Sequence, residues 1–283
     1  MPLAALLQPL WHHRPRESRS FGMLATIHHP AAAPSDALPL VIAHGLYGSA
    51  RNWNVIAKRL ADRRDVIAVD MRNHGESPRF ATQSYADMAG DLAEVIGTLG
   101  GHVDLLGHSM GGKTAMQLAL TQGALIRRLI VGDIAPYAYS HDQSHHARAM
   151  MAMDLTDLHD RREADRRLEL AGVDDAALRP FFLQSLDIRA TPPRWRLNLP
   201  VLAAEMPKIV GWPGTQGRFD GPALFLTGSE STYVRPENRD TIRALFPMAR
   251  FAKLPGAGHW LHADKPREFE EAVRVFLNAP DPR

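Results

Sequence analysis

Short runs that are apolar at nearly every position, alternating with stretches of helical spacing, constrain this chain more than any other feature. Leu38-Pro39-Leu40-Val41-Ile42-Ala43, Val66-Ile67-Ala68-Val69, Val103-Asp104-Leu105-Leu106, Leu129-Ile130-Val131 and Ala223-Leu224-Phe225-Leu226 are such runs. A strand without a polar face is buried on both sides, as in a parallel sheet with helices packed above and below it. The intervening segments supply those helices. Trp53, Ile56, Ala57 and Leu60 share one helical face, and Met88, Leu92, Val95, Ile96 and Leu99 share another behind a capping signal at Ser84 and Asp87. Met23 to His29 reads as a first strand, and Arg250 to Leu254 as the last, after a helix over about Asn238 to Phe246. A closing helix buries Phe269, Val273, Phe276 and Leu277. The expected fold is α/β, with a mostly parallel central sheet flanked by helices.

The rhythm breaks at Pro136. Residues 137–213 show no buried-strand signal; helical stretches run from Ala147 to Met153, Arg161 to Leu170, Ala176 to Gln184 and Val201 to Met206. The predicted organisation is a core of residues 23–136 and 214–283, an inserted helical lid of residues 137–213, and an N-terminal extension of residues 1–22. The extension lacks a basic leading region and its apolar stretch is broken at Gln8-Pro9, so it does not read as a signal peptide. No stretch reaches the roughly eighteen apolar residues of a membrane span, and a soluble, cytoplasmic protein is expected, as a monomer or small homo-oligomer. A net charge of only +2 argues against nucleic acid as a partner. The absence of cysteine removes disulfides, thiol catalysis and thiolate metal sites. The histidine pairs His12-His13, His28-His29 and His145-His146 have no carboxylate cluster beside them, and no metal or cofactor is expected.

Right-handed crossovers gather the carboxyl ends of parallel strands on one rim. His44-Gly45, Asp70, Ser109 and Asp133 all stand at such ends. Among them, Gly107-His108-Ser109-Met110-Gly111 has the form of a serine on a sharp strand-to-helix turn, with small residues that let the backbone make the bend. A serine hydroxyl needs a base, and His259 in Gly256-Ala257-Gly258-His259-Trp260 follows the last predicted strand. The imidazole needs a carboxylate on its other nitrogen. Two acids fit the order nucleophile–acid–base: Asp133, at the end of a strand, is favoured, and Glu230 in Gly228-Ser229-Glu230-Ser231 is the alternative. The elbow presents the Met110 N–H to an oxyanion, and the loop after His44-Gly45 offers the Leu46 N–H. His44 buttresses that loop. Asp70 and Arg72 are read as structural.

Four segments carry a resemblance: His44-Gly45-Leu46-Tyr47-Gly48-Ser49-Ala50-Arg51-Asn52-Trp53, Asp70-Met71-Arg72-Asn73-His74-Gly75-Glu76-Ser77-Pro78, the elbow through Lys113, and Asp133-Ile134-Ala135-Pro136. With Gly258-His259 they resemble the α/β-hydrolases, and more narrowly the small YbfF-type esterases and their mitochondrial relatives. The resemblance implies Ser109 as nucleophile, His259 as base, Leu46 and Met110 as the oxyanion hole, and a helical cap over the site. The wider superfamily carries an aspartate in the loop that here contains Ser231. That departure supports Asp133 as the acid, with Ser231 as an auxiliary to the base. Tyr47, Trp260, Tyr137 and Trp195 are the expected substrate-binding side chains, with Phe181, Phe182 and Met151 as further lid candidates.

The reading that follows is a serine carboxylic-ester hydrolase working through an acyl-enzyme on small to medium acyl esters, with thioesters open to the same machinery. The alternatives are a cofactor-free lyase using the same triad and a ligand-binding protein with this fold and little turnover.

Overall fold

The computed structural model describes residues 23–280. Residues 1–22, read from the sequence as an extension, lie outside the described residues. Seven strands form the main sheet: β1 (Thr26–His29), β2 (Leu40–Ala43), β3 (Val66–Val69), β4 (Val103–His108), β5 (Ile126–Gly132), β8 (Ala223–Gly228) and β9 (Ala249–Leu254). Their spatial order is β1-β3-β2-β4-β5-β8-β9, parallel throughout except for β1, which runs antiparallel to β3. The expected first strand is shortened to four residues.

The apolar runs are buried on both faces because each face carries its own helices. Leu40, Ile42, Val66 and Ala68 pack with Leu106, Ile130 and Leu226 on one side, under α1 (Asn54–Leu60) and the closing helix α11 (Pro266–Leu277). Val41, Ala43, Ile67 and Val69 pack with Leu105 and Val131 on the other, under α2 (Tyr85–Thr98) and α3 (Met110–Gln122). Alternate residues of one strand thus enter different cores. The Ser84 side chain accepts a hydrogen bond from the Asp87 N–H, capping α2, and α11 buries Phe269, Val273, Phe276 and Leu277.

Strand β5 begins three residues before the predicted run. Its extra residues include Arg127 and Arg128, which stand outside the apolar run. Arg127 instead donates to both carboxylate oxygens of fully buried Asp104 on β4, and Arg64 donates to the same carboxylate. The buried carboxylate is accommodated because two guanidiniums satisfy both its oxygens.

Between β5 and β8 the chain leaves the main sheet. It forms α4 (Ser144–Ala152), α5 (Arg161–Leu170), α6 (Leu178–Leu183), α7 (Leu199–Ala204) and α8 (Met206–Val210), with α9 (Asn238–Leu245) and α10 (Leu261–Asp264) following later. The single predicted helix near Val201 is two short ones, α7 and α8, meeting at Glu205. Each has a proline in its first turn, where the missing N–H costs nothing. A two-residue ribbon, β6 (Leu186–Asp187) with β7 (Arg194–Trp195), is an addition the sequence reading did not anticipate. Polar contacts tie this segment to the core: the Tyr47 hydroxyl donates to the Gln143 carbonyl at 2.9 Å, and the Ser185 hydroxyl to the Tyr47 carbonyl at 3.1 Å. Among the described residues no helix is long and apolar enough to cross a membrane.

The turn from β4 into α3 works only with glycine at two positions. A Cβ on Gly107 would stand 2.2 Å from the Gly111 carbonyl oxygen, and one on Gly111 would stand 2.2 Å from the Ala43 carbonyl oxygen. Backbone on both sides leaves neither contact a way to relax. Gly107→Ala or Gly111→Ala is therefore expected to cost about 3 kcal/mol or more. Thermal melting would register this as a loss of several degrees in Tm; a Tm within a degree of the parent would refute the packing argument.

Candidate active site

Strand register assembles the site. In the β4–β5 pair His108 lies opposite Gly132, so the next residues, Ser109 and Asp133, emerge side by side at the same level of the rim. Backbone bonds hold both: Ser109 N–H donates to the Gly132 carbonyl at 3.0 Å, and Asp133 N–H to the Leu226 carbonyl at 2.9 Å. Each residue has a positive φ, 53° for Ser109 and 49° for Asp133, conformations that non-glycine residues hold only under surrounding constraint.

His259, after β9, closes the arrangement. Its Nε2 is 3.0 Å from Ser109 Oγ, and its Nδ1 is 2.7 Å from Asp133 Oδ2. The carboxylate on Nδ1 makes it the protonated nitrogen and leaves Nε2 as the acceptor for the serine proton. Asp133 is fully buried, and its oxygens also accept from the Gly228 N–H and from the Ser231 hydroxyl. Glu230 is exposed; its N–H is engaged with the Ala257 carbonyl, and the acid on the imidazole is Asp133's. His108, which the sequence reading passed over inside the elbow, donates from Nε2 to the His259 carbonyl at 2.8 Å and ties the histidine loop to the serine turn.

Two further histidines shape the loop after β2. His44 Nε2 accepts from the Met71 N–H at 3.0 Å, so its Nδ1 carries the proton and donates to the Gly45 carbonyl at 2.8 Å. His74 repeats the pattern, accepting from the Tyr47 N–H at 3.2 Å and donating to the Arg72 carbonyl at 2.8 Å. Tyr47 sits at φ 61°, and these bonds fix the turn that carries Leu46. Asp70 receives the Ala50 and Glu76 N–H groups, and Arg72 forms a two-bond pair with Asp91, so both are structural residues.

A cavity of about 410 Å³ opens above Ser109, with Leu46, Met110, Tyr47 and Trp260 in its wall. Phe181 and Phe182 of α6 join them: Phe181 meets Trp260 edge-to-face at 4.1 Å, and Phe182 meets Tyr47 at 5.5 Å. Two expected wall residues are elsewhere. Trp195 is 7% exposed and paired with Leu186 in the β6–β7 ribbon, which turns its ring into the hydrophobic interior. Tyr137 is 55% exposed, since the chain turns outward after Pro136, and Tyr139 takes the place in the cavity wall. Met151 is also exposed. Tyr139, Tyr233 and Lys113 were not anticipated. Lys113 stood in the quoted elbow segment, but a lysine in a helix ordinarily reads as a solvated side chain. Here its Nζ is buried, donating to the Val210 and Gly211 carbonyls at 2.8 and 2.5 Å and lying 4.7 Å from the Tyr139 ring centre; burial pushes its pKa down to about 7. Among the described residues no cluster of histidine and acidic side chains could hold a metal ion.

Burial lowers the pKa of His44 to about 4 and of His74 to about 3, so both are neutral in the folded chain. In the unfolded chain they would titrate near 6.5. Between about pH 6.5 and 4 the unfolded chain takes up protons that the folded chain refuses. The stability they contribute is complete above pH 6.5 and is lost as pH falls toward 4. Urea unfolding is expected to show ΔG falling on acidification, by at most about 1.4 kcal/mol per pH unit for each histidine. The slope should be shallower in His74→Gln, and an equal slope would contradict the assignment.

Residues 40–272 match the model of the Alpha/beta hydrolase family. The chain is 42% identical over 248 residues to the sn-1-specific diacylglycerol lipase ABHD11 of Mus musculus, covering 84% of this chain and 80% of that one. It is 38% identical over 246 residues to Esterase YbfF of Escherichia coli K12, covering 85% and 93%. A solved marine microorganism esterase superposes with a TM-score of 0.83 at 34% identity, over 90% of this chain and 99% of that one. The chain belongs to the α/β hydrolase family.

Proposed function

We propose that this protein is a serine carboxylic-ester hydrolase that works through an acyl-enzyme. The observation that carries the reading is the continuous run Ser109 Oγ, His259 Nε2, His259 Nδ1 and Asp133 Oδ2, with contacts of 3.0 and 2.7 Å, in which Ser109 and His259 line the cavity and Asp133 is buried behind them. The names of the mouse and Escherichia coli relatives support ester hydrolysis.

Ser109 attacks the ester carbonyl while His259 Nε2 takes its proton, and Asp133 stabilises the imidazolium that results. The Met110 N–H heads α3, where first-turn donors have no partner within the helix, and with the Leu46 N–H it receives the oxyanion. His259 then protonates the departing alcohol, and the acyl-enzyme on Ser109 awaits a water that the same imidazole activates. A thioester passes through the same steps with a thiol as leaving group. The wall of Leu46, Tyr47, Phe181, Phe182 and Trp260 suits an apolar acyl chain. A volume of about 410 Å³ is toward the small end of ligand sites, which span about 300–1,000 Å³, and favours small to medium acyl groups.

Initial rates on nitrophenyl esters from acetate to palmitate test the reading. Turnover is expected on short and medium chains and should fall by about 10⁴-fold or more in Ser109→Ala. Asp133→Asn is expected to lose about 10⁴-fold in kcat, whereas Glu230→Gln should stay within about twofold, as an exposed residue off the site. Ser231→Ala removes one hydrogen bond to a carboxylate and should cost about tenfold in kcat/KM. A folded protein without turnover on any of these esters would overturn the proposal.

A further inference from the structure

Two hydrogen bonds hold His259, one through each ring nitrogen. Together with the covalent anchor at Cγ they define the ring plane, but hydrogen bonds of this kind yield to small turns about the Cβ–Cγ bond that swing both nitrogens off their partners. The terminal torsion of a histidine is broad, so it does not by itself oppose such a turn. A flat partner against the imidazole face would oppose it, and the structure has one. The Tyr233 ring lies 3.9 Å from the His259 ring, centre to centre, at an interplanar angle of 17°.

Tyr233 is itself fixed at three points. Its N–H donates to Ser231 Oγ at 3.2 Å, and that hydroxyl also reaches Asp133. Its carbonyl accepts from the Tyr139 hydroxyl at 2.7 Å, while the same hydroxyl accepts from the Ala135 N–H at 3.0 Å. Its own hydroxyl accepts from Gln143 Nε2 at 3.3 Å. The loop after β8 and the loop after β5 are thereby closed into one network. It touches the acid through Ser231 and the base through an aromatic face. The loop after β8 carries no acid to His259; it carries the plate against which the imidazole rests.

We propose that Tyr233 is a positioning residue for the base. Its ring holds the His259 imidazole in the plane that serves Ser109 and Asp133 together, and its face attracts the positive charge that the imidazole gains when it takes the serine proton. The proposal rests on the esterase reading for its effect on turnover, but the ring contact can be examined without substrate.

The experiment compares Tyr233→Leu with Tyr233→Phe. In Tyr233→Leu, kcat on the best nitrophenyl ester falls by about 30- to 100-fold, the scale of a misplaced catalytic group, while KM, which responds because Tyr233 also lines the cavity, changes by no more than about fivefold. Tyr233→Phe keeps the ring and holds kcat within about threefold of the parent, since only the long hydroxyl contacts to Gln143 and His141, 3.3 and 3.5 Å, are lost. The downfield proton signal of the His259 Nδ1–H on Asp133, read in the resting protein, is sharp in the parent and in Tyr233→Phe and broadens or disappears in Tyr233→Leu. Tyr139→Phe frees the Tyr233 carbonyl and the Ala135 N–H, loosens the loop that carries the Tyr233 ring, and lowers kcat by about three- to tenfold while broadening the His259 proton signal. That variant carries the test if Tyr233→Leu does not fold.

An unaltered kcat and an unaltered proton signal in Tyr233→Leu would overturn the proposal. A rise in KM alone would make Tyr233 part of the substrate wall only. An equal loss in Tyr233→Phe would assign the effect to the hydroxyl and reject the stacking. A parent protein without ester turnover would sink the esterase reading, while the proton signal would still decide whether the ring holds the histidine.

Discussion

The parallel pairing of β4 with β5 is the constraint on which the rest of the site depends. It sets His108 opposite Gly132 and so delivers Ser109 and Asp133 to the rim as neighbours, each at the first residue past its strand. The backbone must then bend sharply at Ser109, and it can do so because Gly107 and Gly111 leave room where any side chain would meet backbone oxygen. Everything downstream inherits this geometry. Met110, the first residue of α3, lines the cavity because α3 starts where it does, and His259 reaches both residues only because they stand side by side.

Around that turn the protein uses imidazoles as neutral polar spacers. His44, His74 and His108 are buried and each bonds to backbone, which suits a side chain able to accept at one nitrogen and donate at the other. Burial depresses their pKa values, so these three imidazoles stay neutral at neutral pH, while His259 is coupled to a carboxylate and a hydroxyl. Lys113 follows a related logic. Its ammonium group is taken out of water and set against two carbonyls at the end of α8 and the face of Tyr139, joining the helix that follows Ser109 to the segment between β5 and β8.

Much of this was legible in the chain before any coordinates. The runs at Leu40, Val66, Val103 and Ala223 announce double-sided burial because no residue in them offers a consistent polar face. Ser109 is readable because glycines at 107, 111 and 112 would be wasteful in a straight strand or a straight helix. Where the reading fell short, the cause was a contact distant in sequence. Arg127 stands outside the apolar run, and what it meets is Asp104, 23 residues away on the neighbouring strand. Trp195 reads as a pocket aromatic until its ribbon pairing with Leu186 turns it inward. Tyr233 carries no signal at all except its place two residues after Ser231, because a stacking partner is defined by a face and not by a spacing.

The sequence by itself determined the sheet, its flanking helices, the elbow and the residues able to serve as nucleophile and base, since each depends on patterns within a dozen or so positions. Only the tertiary structure decided that Asp133 and not Glu230 meets the imidazole, that Tyr139 and not Tyr137 faces the cavity, and that Tyr233 covers His259. Those outcomes turn on strand register and on the direction in which a side chain leaves its loop. Both are set by packing between segments far apart in the chain, which local pattern does not encode.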